Sequence, residues 1–121
     1  MGEYIVSIKN LKKKLEELTY NDLQNWAGTK ILQRGDSYFK SGCVTNLRIT
    51  PKGLLACVSG THEYITLVTF EGKGSKKYLS SDCTCSYGTD CKHAVATLLA
   101  YCQAIKEKKT VQEAKSNDPD F

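Results

Sequence analysis

Proline is nearly absent from this chain, with 2 among 121 residues, and no apolar run approaches the ~20 residues that a membrane-spanning helix requires. The second absence excludes a helical membrane span. The first, with 40% hydrophobic and 25% charged residues, describes a chain that folds. No internal repeat or low-complexity block is present, which excludes a repeat array. The opening Met1-Gly2-Glu3-Tyr4-Ile5-Val6-Ser7-Ile8-Lys9 lacks a basic start, an apolar core and a small-residue cleavage site, so it does not read as a secretory signal. The expected location is therefore cytoplasmic. The length fits one domain, large enough to bury its own core and small enough to profit from a metal staple.

A reducing compartment changes the meaning of the 6 cysteines, because clustered thiols there bind metal or react more often than they form disulfides. Four of the six fall in the last third of the chain. The formal charge of +4 is a modest basic excess. Three zinc-bound thiolates and one divalent ion would lower it to about +3. Such an excess is compatible with nucleic acid and does not demand it.

Hydropathy patterning predicts an α+β fold. Leu11, Leu15 and Leu18 recur at helical spacing among Lys12, Lys13, Lys14, Glu16 and Glu17, so Asn10 to Leu18 reads as an amphipathic helix. A second helix follows with Asn21 as N-cap and carries Leu23 and Trp26, a core residue, before closing at Gly28. Thr29 caps a third through Ile31, Arg34, Tyr38 and Phe39 that ends at Gly42, with Gly35 as its weak point. From Cys43 the period changes to two, with Cys43, Thr45, Leu47 and Ile49 on one face and Val44, Asn46, Arg48 and Thr50 on the other. Thr50-Pro51-Lys52-Gly53 turns this strand into Leu54–Val58, and Glu63–Phe70 adds a third strand. A last extended segment through Tyr78 and Leu79 leads to the cysteines. The expectation is N-terminal helices, an antiparallel meander of three to four strands, then a C-terminal helix from His93 with Val95, Leu98, Leu99, Cys102 and Ile105 on one face. Residues 1–105 form the single domain, with the metal-binding part at 78–105, and residues 106–121 read as a polar tail or linker.

The chemistry is concentrated in Cys83-Thr84-Cys85-Ser86-Tyr87-Gly88-Thr89-Asp90-Cys91-Lys92-His93. Three thiols and an imidazole form a donor set that zinc favours. On an extended strand residues i and i+2 share a face, so Cys83 and Cys85 reach one ion together. On a helix the same spacing puts side chains about 200° apart, so Cys91 and His93 do not bind together from a helix interior. Cys91 belongs at the helix entrance, where backbone N–H groups favour a thiolate, with Asp90 as N-cap. Four protein ligands fill a tetrahedral shell and leave no position for substrate water, which makes the ion structural. A redox pair is the rival reading, but the usual oxidoreductase spacing is CxxC. Cys43, Cys57 and Cys102 fall on strand or helix faces as small hydrophobes, and His62 has no second ligand near it.

The CxC and CxH arrangement resembles the SWIM zinc finger, found in bacterial proteins, SWI/SNF-type helicases, transposases and ubiquitin-pathway proteins. Cys91-Lys92-His93-Ala94-Val95-Ala96 is similar to the CKHxxA segment of bacterial members. Arg34-Gly35-Asp36-Ser37-Tyr38-Phe39-Lys40-Ser41-Gly42-Cys43-Val44 resembles the stretch preceding their sheet, and the likeness covers most of residues 20–105. Ser86 stands where many members have proline. The resemblance implies one structural zinc on Cys83, Cys85, Cys91 and His93, and a DNA-binding or protein-interaction role within a larger, helicase-like or regulatory protein. No GxxxxGK[ST] phosphate loop occurs here, so any such ATPase lies outside these residues.

The function expected from these features is a zinc-binding accessory domain, not an enzyme, that binds nucleic acid, DNA more than RNA. The alternative is a protein-interaction domain; no membrane or small-molecule substrate enters either. Lys73, Lys76, Lys77 and Lys92 surround the zinc knuckle as phosphate contacts, with Tyr78 and Tyr87 available to stack on bases.

Overall fold

Thr19 starts the first well-capped helix. Its hydroxyl accepts the Asp22 N–H at 3.1 Å, and the Asp22 carboxylate accepts the Thr19 N–H at 2.9 Å, a reciprocal capping box. Asn21 therefore lies inside this helix and is not its cap. The computed structural model describes residues 2–73, 76–85 and 91–113. Along them run α1 (Gly2–Glu16), α2 (Tyr20–Ala27), α3 (Thr29–Lys40), β1 (Val44–Ile49), β2 (Gly53–Ser59), β3 (Glu63–Lys73), β4 (Lys76–Cys83), α4 (Lys92–Lys106) and β5 (Gln112–Glu113). Helix α1 begins well before Asn10 because neither proline nor glycine interrupts residues 3–16, while Leu11 and Leu15 supply the face that meets the core. Gly28 ends α2 with φ of 88° and at the same time precedes α3, so Thr29 is the first residue of α3 and not its cap.

The sheet order is β4-β3-β2-β1-β5. The first four strands form the expected antiparallel meander, and β5 joins it parallel to β1 through Arg48↔Gln112 and Ile49↔Glu113. The expected three or four strands become five because a two-residue strand carries no readable alternation; Val111 before it packs against the core. The β1–β2 turn is held by Thr50, whose hydroxyl accepts the N–H groups of Lys52 and Gly53, both at 3.0 Å. In β1 the two-residue alternation fails. Asn46 adopts φ of 53°, the register shifts between Thr45 and Arg48, and Arg48 and Ile49 are both buried. Arg48 folds back to donate from Nε to the Asn46 carbonyl at 2.9 Å.

Helix α4 touches both α3 and the sheet, and its residues from His93 to Leu98 are consecutively buried. Val95 and Leu98 are fully covered, Leu99, Cys102 and Ile105 only partly so, and Tyr101 joins the core at 1% exposure. The α3–α4 crossing depends on Gly35. A Cβ there would lie 2.5 Å from the Val95 side chain and 2.9 Å from the Lys92 carbonyl oxygen. The glycine that costs α3 helix propensity is thus what lets α4 approach. No helix among the described residues is long and apolar enough to cross a membrane.

Candidate metal centre

Strand β4 ends at Cys83, and the ladder continues one residue further, where the Thr84 N–H donates to the Ile65 carbonyl at 3.1 Å and the Thr84 hydroxyl accepts from the Ile65 N–H at 3.0 Å. Cys85 follows in a bend. The chain returns at Cys91, the N-cap of α4, whose φ of −94° and ψ of 174° are extended. Its carbonyl accepts the first helical N–H groups, from Ala94 and Val95. Cys91 therefore stands at the helix entrance and His93 in the first turn, the arrangement that i, i+2 ligation requires. Asp90 lies outside the described residues, and the N-cap itself is Cys91.

These elements bring Cys83, Cys85, Cys91 and His93 together, with their ligand atoms all within 4.8 Å of one another. His93 Nδ1 faces the sulfurs, 3.5 Å from Cys83 Sγ and 3.7 Å from Cys91 Sγ. Tetrahedral zinc with bonds of ~2.3 Å to sulfur and ~2.0 Å to nitrogen demands sulfur–nitrogen separations of about 3.5 Å and sulfur–sulfur separations of about 3.8 Å. The residues present fit the ion, with a contraction of no more than about 1.3 Å in the widest pair. Among the described residues this is the one such group of donors.

The surroundings set the state of each ligand. The Cys91 thiol, hydrogen-bonded to Cys83, is the main influence holding Cys83 down at about 3. His93, the Thr66 hydroxyl and the Cys85 N–H add to it against the opposing effect of burial. The Thr66 hydroxyl lies 3.2 Å from Cys83 Sγ. Cys91 moves the other way, pushed up by its bond to the Cys83 sulfur and by burial. Without metal the pair shares one proton, and coordination releases it. His93 is 2% exposed. It is stacked on Tyr64 at 4.5 Å between centroids and met edge-on by Tyr38 at 5.2 Å. Two aromatic rings thus fix the imidazole plane with Nδ1 toward the thiols.

Register decides the contact with Thr66, which pairs with Cys83 across β3 and β4. No local pattern marks Thr66, Tyr38 or Tyr64 as neighbours of the ligands. The lysines divide. Lys73 and Lys76 face each other at the closed end of the β3–β4 hairpin and Lys77 pairs with Gly72, whereas Cys83 ends β4 at the opposite extreme. At ~3.3 Å per residue that separation is about 23 Å, so the hairpin lysines do not surround the metal centre. Lys92 does, with its ammonium 5.2 Å from the Tyr38 ring centroid. Tyr87 lies outside the described residues, and Tyr78 pairs with Glu71 within the hairpin. Cys43, Cys57 and Cys102 are half-buried and separate from the cluster, and burial pushes the Cys102 thiol up.

When bound, zinc supplies four coordinate bonds that tie the end of β4 to the start of α4. Four protein ligands complete its tetrahedral shell, which makes this one structural zinc site. No curated protein and no solved structure matches the chain. Residues 68–102 match the family model of the SWIM zinc finger, a span that runs from Val68 in β3 past all four ligands to Cys102 in α4, so this segment is similar to a SWIM zinc finger.

Proposed function

We propose that this zinc-stapled domain is a non-enzymatic accessory module that binds nucleic acid, DNA in preference to RNA, in the cytoplasm. The observation that carries the reading is the pairing of Lys73 directly opposite Lys76 at the end of the β3–β4 hairpin, with Lys77 next to it. A phosphate backbone laid along that end would meet three basic residues at once and gain sequence-independent affinity. Arg34 and Lys92 add positive charge beside the metal centre, and the described residues lining the hollow they share include no carboxylate. The zinc makes no contact of its own in this reading. It fixes the strand against the helix so that both basic regions are held on one rigid unit.

Titrating labelled duplex and single-stranded DNA at two salt concentrations tests the proposal. Replacing Lys73, Lys76 and Lys77 together by glutamine should weaken binding to duplex and lower the slope of log affinity against log salt by up to about 2.7, or ~0.9 per lost phosphate contact. Absence of binding at low salt removes the reading. A protein-interaction role is favoured instead by the groove of about 550 Å³ lined by Leu18, Trp26, Phe70 and Leu79 with Lys14 and Asp22 at its border. Binding through that groove would respond little to salt.

A further inference from the structure

The sheet ends at β4, and among the described residues no strand lies beyond it. The edge strand, Lys76–Cys83, offers outward amides and carbonyls to any chain that can take the next place in the ladder. We propose that the protein forms a two-fold dimer in which β4 pairs antiparallel with β4 of a second copy, Leu79 facing Leu79 and Lys76 facing Asp82. The dimer itself does not depend on the nucleic-acid reading above.

Hydrogen-bond phase and sheet face together fix which residues can meet. The Thr84 N–H points at β3, to the Ile65 carbonyl. The β3–β4 register runs without a shift from Thr66↔Cys83 to Lys73↔Lys76, so alternation turns the main-chain groups of Lys77 and Leu79 away from β3 and keeps those of Lys76, Tyr78, Ser80 and Asp82 directed at it. A two-fold axis perpendicular to the sheet leaves the helices of both copies on one side, so each residue meets only a partner residue from the same face. Both conditions hold when the axis passes beside Leu79. Lys76 then stands opposite the partner's Asp82, and Tyr78 opposite the partner's Ser80.

The order of charges along β4 selects both this register and this occupant. Asp82 is exposed and makes no ion pair among the described residues, and its neighbour across the sheet is Leu67. Charged residues commonly keep a sheet edge unpaired, but a strand with lysine at one end and aspartate at the other is self-complementary when it runs antiparallel to its own copy. Sliding the register by two residues sets Lys76 against Ser80 or Thr84, and the match is lost. Leu79 gives the pairing an apolar centre. It is 9% exposed and carries the groove lined by Leu18, Trp26 and Phe70 to the sheet edge, so the grooves of the two copies come together at the axis. Asp82 precedes Cys83, so the hairpin end that stands about 23 Å of strand from its own metal centre lies beside the partner's. That placement matters for nucleic acid only if the reading above holds; Lys73 and Lys77 take no part in the charge match.

Analytical ultracentrifugation of the zinc-loaded protein, without nucleic acid, tests the dimer. The mass should double as concentration rises towards about 1 mM, the weak end of specific association. Asp82→Lys and Lys76→Asp, each with zinc content verified, set like charges opposite one another on both sides of the axis and should weaken association about tenfold or more. An equimolar mixture of the two variants restores both opposite-charge pairs and should associate as the parent does, a rescue that misfolded variants do not give. A parent that stays monomeric up to about 1 mM, single variants that associate like the parent, or a mixture that stays monomeric would overturn the proposal. Dimerisation without DNA binding keeps the pairing and removes the nucleic-acid reading. DNA binding by a protein that is monomeric throughout does the reverse.

Discussion

Replacing Gly35 by alanine adds one methyl group at the place where α3 and α4 come closest, and the consequences reach the metal. That methyl would sit 2.5 Å from Val95 Cβ and Cγ1 and 2.9 Å from the Lys92 carbonyl oxygen. Carbon atoms pack at ~3.5–4.0 Å, so the helices must part by about 1 Å. The Lys92 carbonyl belongs to helix backbone and has no rotamer by which to withdraw. Overpacking of this kind costs about 1–3 kcal/mol, and the upper end applies to a backbone contact. Alanine's greater helix propensity returns about 1 kcal/mol. The net loss is about 2 kcal/mol, or roughly 8 °C in melting temperature at ~4 °C per kcal/mol for a domain of this size. His93 lies between Lys92 and Val95, so the same displacement changes the placement of Nδ1 against Cys83, now 3.5 Å away. Zinc affinity should fall by about tenfold or more, as it does when supporting residues of a metal site are disturbed. Thermal melts in zinc-saturated buffer and competition with a chelator read the two effects separately. Ser37→Ala, at an exposed position of the same helix, should change stability by no more than about 0.5 kcal/mol and serves as the control. A Gly35→Ala protein that melts with the parent and holds zinc equally well would refute the close crossing and its coupling to the site.

Two further outcomes follow from the ligand environment. The Cys91 thiol is pushed up by its bond to Cys83 and by burial, so it carries its proton at neutral pH and coordination must displace it. Cys83, held at about 3, is already a thiolate there and adds no dependence. Zinc affinity should rise at least about tenfold per pH unit between about pH 6 and pH 7.5, measured against a chromophoric chelator; a flat profile would contradict the shared proton. Thr66→Val keeps the buried shape and removes the hydroxyl that donates to Cys83 Sγ across 3.2 Å. Its zinc affinity should drop by about tenfold with little change in the melting of the metal-free protein. Unchanged affinity would show that the hydroxyl does not support the thiolate.

The four ligands were legible because their spacing encodes local geometry. An i, i+2 pair on an extended segment shares a face, and a CxH pair fits a helix only if the cysteine precedes the first turn; Cys91 occupies that position. Helix and strand order was legible for the same reason, since Leu11 with Leu15 and the alternation from Leu54 to Val58 are short-range patterns. Boundaries were less so. Thr19 and Asn21 are both plausible caps by residue type, and only the Asp22 carboxylate, returning to the Thr19 N–H, distinguishes them. At Asn46 a left-handed residue shifts the register, so Thr45, counted on one face with Leu47 and Ile49, is exposed while those two pack with the core.

From sequence alone follow the α+β class, the donor set and the structural character of the zinc, because each depends on residues close together in the chain. Tertiary structure alone decides which imidazole nitrogen faces the sulfurs, since that choice is made by Tyr38 from α3 and Tyr64 from β3 closing on His93. It also decides that Thr66 supports Cys83, that Gly35 admits Val95, and that Arg34 and Lys92 line one hollow beside the site while Lys73 and Lys76 stand about 23 Å of strand away. These are contacts between distant segments, fixed by strand register and helix crossing, and no local period carries them.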